Sequence, residues 1–166
     1  MCQFKYATKK ELAPVRNQLE SIINEMQDIL RKNFTFQFRF VGSSSHNKVT
    51  YNPASNIGFD FDINLEVNDN NENFSPKALR LKFIKAINMV AHRYGYDYAE
   101  DSTRVITIKF KDRKNARIHH SCDLAIINNY EDEEGHKRQE YIHFNKKQGR
   151  YMWEEQSDGY HMINSY

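Results

Sequence analysis

The sequence predicts an α+β domain: a mixed β-sheet of about five or more strands with helices packed on one face. Three observations carry that reading. Phe34–Phe40 and Phe59–Val67 alternate apolar and polar residues, the period of a half-buried strand. The segments Ala13–Lys32 and Ser75–Tyr94 place apolar residues at helical spacing, and the chain beyond them reads as strands joined by charged turns. The predicted order is α-β-(α)-β-α-β-β-β-β.

The first helix is placed from about Ala13 to Lys32, with Val15, Leu19, Ile22, Ile23, Met26, Ile29 and Leu30 as its apolar stripe. Thr8 and Glu11 have the spacing of a capping box, but that start would leave Pro14 too far inside the helix. A start at Ala13-Pro14 puts the missing N–H where it costs nothing. In the strand Phe34–Phe40 four Phe share the buried face, and Gly42 follows its end. Ser43–Asn56 is polar and turn-rich, broken by Asn52-Pro53, and is expected to hold a short helix and a loop. The second strand has Phe59, Phe61, Ile63, Leu65 and Val67 on one face and Asp60, Asp62, Asn64 and Glu66 on the other. After a polar loop from Asn68 to Asn73, Ser75-Pro76 supplies an N-cap and a proline at the first helical position. Leu79, Phe83, Ile87, Val90 and Tyr94 form that helix's stripe, and Gly95 ends it. Two strands, Arg104–Phe110 and Arg117–Ile127, flank the basic turn Lys111–Asn115. The acidic turn Glu131–Gly135 then leads to a hairpin with arms Glu140–Phe144 and Arg150–Trp153.

Composition narrows the class of protein. A chain of 166 residues, 39% hydrophobic and 28% charged, is expected to be one soluble domain with a sizeable core. A net charge of +2 is too small to imply nucleic-acid binding by itself. Phe and Tyr are numerous, 11 and 10, but their spacing assigns most of them to the core. Cys2 and Cys122 stand far apart, outside any metal-ligand spacing, which predicts a reducing compartment and no disulfide scaffold. With no apolar signal core at Met1–Lys5 and no apolar run of membrane-spanning length, the expected location is cytoplasmic and no membrane is expected as a partner.

The residues that carry chemistry are Asp60, Asp62 and Asp123. Side chains at i and i+2 of a strand point the same way, about 6.6 Å apart along the backbone, so Asp60 and Asp62 aim at one patch. Asp123 is the one acid inside the apolar run Ile118–Ile127, and a neighbouring strand about 4.8 Å away would bring it to the same patch. Three converging carboxylates repel one another unless cations lie between them, and Mg²⁺ prefers such oxygen ligands. Two such ions about 3.5–4 Å apart suit in-line displacement at phosphorus. Gly42 permits a tight turn after the first strand. The N–H groups of Ser43 and Ser44 can then donate to phosphate oxygens, with Lys48 near enough in sequence to add charge.

Val41-Gly42-Ser43, then Asp60-Phe61-Asp62-Ile63, then Asp123 resembles the signature of the polymerase-β-like nucleotidyltransferase superfamily. The Gly-Ser-Ser start and long spacer look most like the branch of oligoadenylate synthetases, cyclic-oligonucleotide synthases and CCA-adding enzymes. The resemblance spans roughly Leu12–Ile127. It implies the nucleotidyltransferase fold and two Mg²⁺ (or Mn²⁺) ions, with Asp60 and Asp62 ligating both. Asp123 would hold the catalytic ion beside the acceptor hydroxyl and help remove its proton. Gly42 and Ser43 would bind the triphosphate. The implied reaction transfers a nucleoside monophosphate from a nucleoside triphosphate to a hydroxyl on a nucleotide, RNA, small molecule or protein, releasing pyrophosphate.

Two departures from the pattern matter. The spacer from Ser43 to Asp60 is longer than usual. The helical lobe that usually follows and helps hold the base has no counterpart pattern after Trp153, so residues 1–166 are expected to be a catalytic lobe only. A second wall would come from a missing helical lobe or a homodimer. The competing function is a degenerate nucleotidyltransferase-fold module that binds nucleotide or a partner protein without turnover; a metal-dependent nuclease ranks third, since Asp60–Asp69 contains no lysine. Among other residues, His46 is a candidate nucleotide contact, His119 a plain strand histidine and Glu66 a solvated carboxylate. The basic turn Lys111, Arg113, Lys114 and Arg117 reads as a solvated tip. Tyr141, Tyr151 and Trp153 read as surface that another domain should cover.

Overall fold

The structure, a computed structural model, describes residues 5–6, 9–42, 50–51, 59–69, 72–112, 114 and 117–156. Its elements are β1 (Lys5–Tyr6), α1 (Lys9–Leu30), β2 (Thr35–Phe40), β3 (Thr50–Tyr51), β4 (Phe59–Asn68), α2 (Pro76–Ala91), β5 (Glu100–Asp101), β6 (Ile106–Asp112), β7 (Arg117–Glu131), β8 (Lys137–Asn145) and β9 (Arg150–Glu155). Seven strands form one mixed sheet in the order β2-β4-β7-β6-β5, with β8 pairing β7 and β9 continuing from β8; β1 and β3 make a separate antiparallel pair. The parallel pair is β4 with β7, running from Phe59 opposite His120 to Glu66 opposite Ile127. β7 is long enough to serve two neighbourhoods. Its first part pairs with β4 and β6, and Ile127–Glu131 pairs with β8.

Strand alternation places the core. Phe36, Phe61, Ile63, Leu65, Ile106, Ile108, Cys122, Leu124 and Ile126 are buried in one cluster with the apolar stripes of α1 and α2. The predicted α+β class and mixed sheet hold, and the opposite face is left for polar residues. Ser75 caps α2 as expected, its hydroxyl accepting from the Ala78 N–H at 3.1 Å. Gly95, at φ +95°, closes the short 3₁₀ turn His92–Tyr94 that ends the helical run.

Several expectations need correction. The helix α1 begins at Lys9, not Ala13, and holds Pro14 inside it. Leu12, fully buried, explains why: the earlier start extends the apolar stripe by one turn, which outweighs the one intrahelical hydrogen bond that Pro14 cannot donate. The strand β6 runs from Ile106 to Asp112, displaced from the expected Arg104–Phe110, because Arg80 binds carbonyls of the residues before it. The helix expected after Ser43 lies outside the described residues, as does His46, while Thr50–Tyr51 pairs with Lys5–Tyr6. Glu66 is not a solvated carboxylate: Arg39 pairs with it at 3.3 Å and the Asn129 amide donates to it at 2.6 Å. Tyr141, Tyr151 and Trp153 are not a bare surface. Tyr141 is buried, and the other two pack against the core because β9 folds back over β8.

One buried cation escaped the sequence reading. Arg80, on α2, has no exposed surface. It donates to Asp101 Oδ1 at 2.8 Å, to the Ile142 and Val105 carbonyls at 3.3 Å each, and to the Ser102 carbonyl. Asp101 in turn accepts from the Tyr151 hydroxyl at 2.5 Å. A buried guanidinium with this many acceptors pins residues 101–105 to the helix layer.

Candidate active site

Asp60 and Asp62 lie on β4 and Asp123 on β7, all on the sheet face away from the helices. Parallel pairing sets Asp60 opposite Ser121 and Asp62 opposite Asp123. The three predicted carboxylates therefore share one patch, as alternation and an adjacent strand require. Each of the flanking acids has a hydroxyl partner. Ser121 donates to Asp60 Oδ1 at 2.5 Å, and Thr107, opposite Asp123 on β6, donates to Asp123 Oδ1 at 2.7 Å.

Gly42 meets the same patch. The Val41 N–H donates to the Asp62 carbonyl at 2.9 Å, carrying the chain past the end of β2 beside β4. Gly42 has φ +62°, and a Cβ there would stand 3.6 Å from Asp62 Oδ2. The glycine is thus explained by backbone conformation, since a side chain would touch the carboxylate without clashing. Ser43, Ser44 and Lys48 lie outside the described residues.

Electrostatics mark Asp62 as the strained member. Burial raises its pKa to about 6, and the charges of Asp123 and then Asp60 push in the same direction. Asp123 is raised too, mainly by burial, with the Thr107 hydrogen bond opposing. These acids resist ionisation in the bare protein, which is the condition a divalent cation relieves. The donor set fits such an ion in chemistry. Among the described residues, however, no group of three His, Cys, Asp or Glu is arranged to hold one.

A cavity of about 500 Å³ opens beside Asp62 and Asp123, and Val41, Gly42, Asn64, Arg104, Tyr141 and Gln156 also line it. Asn64 shares the face of Asp60 and Asp62, as expected, yet it is buried: it sits between paired strands opposite Arg39 and Ala125 and beneath the cavity wall. Arg104 lies 4.5 Å from the centre of the Tyr141 ring. Sequence reasoning missed Thr107, Asn64, Arg104 and Gln156 as site residues, because strand register and the return of β9, not spacing, bring them here. His119 is exposed and packs edge-on to Phe59 and His120. His120 faces the core, where burial lowers its pKa to about 3 and its Nε2 lies 2.6 Å from the Tyr96 hydroxyl oxygen in a hydrogen bond. Cys122 is fully buried behind the site, with a thiol pKa raised by that burial, so it is no nucleophile.

With this geometry in hand, solved structures supply a comparison. The chain superposes on the CD-NTase CdnG of Bradyrhizobium diazoefficiens, solved with GTP, at a TM-score of 0.60 and 18% identity over 90% of this chain and 39% of that one. This is the nucleotidyltransferase fold. The same fold carries the Vibrio cholerae cyclic AMP-GMP synthase DncV with its linear intermediate pppA(3′,5′)pG, at a TM-score of 0.61 and 12% identity over 92% of this chain and 54% of that one. It also carries the STING-associated CdnE c-di-GMP synthase of Capnocytophaga granulosa, at 0.53 and 18% over 89% and 43%. The chain therefore spans about two fifths to about half the length of these solved nucleotidyltransferase-fold chains. No protein-family model matches the sequence. No curated protein matches it either. Among the described residues no helix is long and apolar enough to cross a membrane.

Proposed function

We propose that this chain is the catalytic lobe of a metal-dependent nucleotidyltransferase that transfers a nucleoside monophosphate from a nucleoside triphosphate to a hydroxyl acceptor. The observation that carries the reading is the in-register pairing of Asp62 with Asp123 on parallel strands, Asp60 beside them and Gly42 against Asp62. It is supported by the fold shared with CdnG, solved with GTP, and with a cyclic dinucleotide synthase solved with its linear intermediate.

Asp60, Asp62 and Asp123 would hold two Mg²⁺ or Mn²⁺ ions, which supply the positive charge that the triphosphate and leaving pyrophosphate require. The chain's own groups do the rest. Gly42 lets the backbone turn at the triphosphate end of the cavity. Asp123, with a raised pKa and one oxygen held by Thr107, would take the hydroxyl proton of the acceptor while its other oxygen holds the ion. The acceptor oxygen forms its bond to the α-phosphorus as the bond to the bridging oxygen breaks, and pyrophosphate leaves with that electron pair. A helical lobe or a second copy of the chain would complete the far wall of the site.

The second reading is a module of the same fold that binds nucleotide without turnover. Pyrophosphate release separates the two. The enzyme releases pyrophosphate from a preferred triphosphate with Mg²⁺ or Mn²⁺, and Asp60→Asn or Asp123→Asn lowers the rate by about 100-fold or more. Metal-dependent binding that survives with no pyrophosphate formed establishes the module instead.

A further inference from the structure

Among the described residues lining the cavity, Asp62 and Asp123 are acids and Arg104 is the one cation. Strand order sets their places. Val41 and Gly42 flank β4 on its β2 side, where the Val41 N–H meets the Asp62 carbonyl. Arg104 and Val105 lead into β6, which flanks β7 on the opposite side and starts with Ile106 paired to Leu124. The carboxylates of β4 and β7 therefore lie between Gly42 and Arg104. Two strand spacings, about 10 Å, separate β4 from β6.

Arg104 is exposed, yet its position is built. Its backbone belongs to a turn in which the Ser102 N–H donates to the Val105 carbonyl at 3.1 Å. Arg80 holds that turn from the helix layer through the Ser102 and Val105 carbonyls, and the Phe144 N–H holds it from β8 through the Thr103 carbonyl at 2.7 Å. The Arg104 guanidinium then lies over the Tyr141 ring, 4.5 Å from its centre. Tyr141 is fixed in turn. It is buried, it pairs with Ile127 on the face that alternation gives to Asp123 and Ala125, and its hydroxyl donates to Glu154 at 2.6 Å. Attraction between a cation and a ring face consumes no N–H donor.

What this fork recognises follows from its donors. Arginine presents N–H groups in a rigid plane and has no acceptor. It suits a base edge with two adjacent acceptors, such as O6 and N7 of guanine or hypoxanthine. Adenine sets an amino group beside N7, and that donor meets another donor.

We propose that Arg104 is a specificity-determining residue that selects oxopurine nucleotides by donating to O6 and N7 of the base. The inference rests on the nucleotide-binding reading above. With the triphosphate at Gly42 and its α-phosphorus over the carboxylates, ribose and base cross β7 toward Arg104. Val105 and Ala125 line the cavity along that path and offer the base apolar contact. The guanine amino group lies on another edge, so Arg104 reads guanine and hypoxanthine alike.

The test is calorimetric titration, with Mg²⁺, of GTP, inosine triphosphate, ATP and the deaza analogue of GTP that carries carbon in place of N7. The wild type should bind GTP and inosine triphosphate about tenfold more tightly than ATP, and the deaza analogue should lose part of that preference. Arg104→Met, similar in length but without donors, should bring the GTP to ATP ratio to about one. Arg104→Lys keeps the charge without the fork and should also lose most of the preference, so that the loss reports recognition and not unfolding. A wild type without preference for oxopurines, or a preference unchanged in Arg104→Lys, overturns this inference and leaves the nucleotide-binding reading intact. So does a loss in Arg104→Met that is equal for all four nucleotides, which would assign the guanidinium to phosphate. Absence of wild-type binding to any of the four overturns both.

Discussion

Replacing Asp62 by Asn should make the metal-free protein more stable at neutral pH. The carboxyl's pKa rises from 3.8 to about 6 on folding, chiefly through burial, with Asp123 and Asp60 adding repulsion. The folded state therefore holds a proton that the unfolded state has released. Stability from this group is fully present below the unfolded value and is lost as pH climbs from about 4 to about 6. About two pKa units amount to about 3 kcal/mol. Solvent screens a half-buried group, so about 1–2 kcal/mol is the figure to expect. For a chain of this length that is a rise in Tm of about 3–6 °C for Asp62→Asn over wild type at pH 7.5 with EDTA present.

His120 complicates the raw pH curve. Its folded pKa of about 3 lies below the ordinary 6.5, so its contribution is present above that value and fades as pH falls toward 3. The two groups oppose each other in the same window, and neither can be read from wild type alone. The difference between wild type and Asp62→Asn cancels His120. Thermal unfolding of both proteins from pH 4 to pH 8 should show the gap in Tm opening between pH 4 and 6. Equal Tm values at pH 7.5, or a gap that persists undiminished at pH 4, would refute the claim that repulsion and burial strain this carboxylate.

Other outcomes follow from the same contacts. Millimolar Mg²⁺ should raise the wild-type Tm at pH 7.5 more than that of Asp62→Asn; saturation to ten times the Kd is worth about 1.4 kcal/mol, and equal responses would deny the carboxylates a part in metal binding. Arg80→Met should cost about 3–5 kcal/mol in a urea titration, because Asp101 loses its buried partner and the carbonyls of Ser102, Val105 and Ile142 lose a donor. Arg80→Lys should recover only part of that loss, one ammonium being unable to reach all of them. Gly42→Ala should destabilise by about 1 kcal/mol through its φ of +62°, and a neutral effect would show that the turn relaxes.

How much of this was legible in the sequence depends on the range of the interaction. Period-2 runs gave β2 and β4 almost to the residue, because one face of each meets the helices and carries apolar residues while the other carries polar ones. Asp60, Asp62 and Asp123 were legible for the same reason: alternation sets their face, and one parallel pairing brings them level. The start of α1 was misplaced because local proline chemistry argued against the tertiary burial of Leu12, and burial won. Short pairings such as β1 with β3, or β5 with β6, have too few residues for any periodicity.

The least legible residues are polar ones on the open face. Asn64 and Glu66 alternate with apolar neighbours, so pattern alone assigns both to solvent. Their burial arises because β7 outruns its partners in the central sheet, and β8 pairs with its overhang and brings β9 with it. That return places Tyr141 and Gln156 over one end of the carboxylate face and turns a flat sheet into a cavity. The same hairpin meets Arg80, whose hold on Ile142 and on residues 101–105 sets where Arg104 and Val105 stand. A site that pattern locates by its acids is therefore shaped by a cation on the other layer. Changes at Arg80 should accordingly be felt in nucleotide affinity even though it does not itself line the cavity and meets it only through the Val105 carbonyl. That coupling is measurable: Asp101→Asn, which weakens the hold of Arg80 from the sheet side, should lower triphosphate affinity along with stability. A stable Asp101→Asn protein with unchanged affinity would show that the wall stands without its anchor.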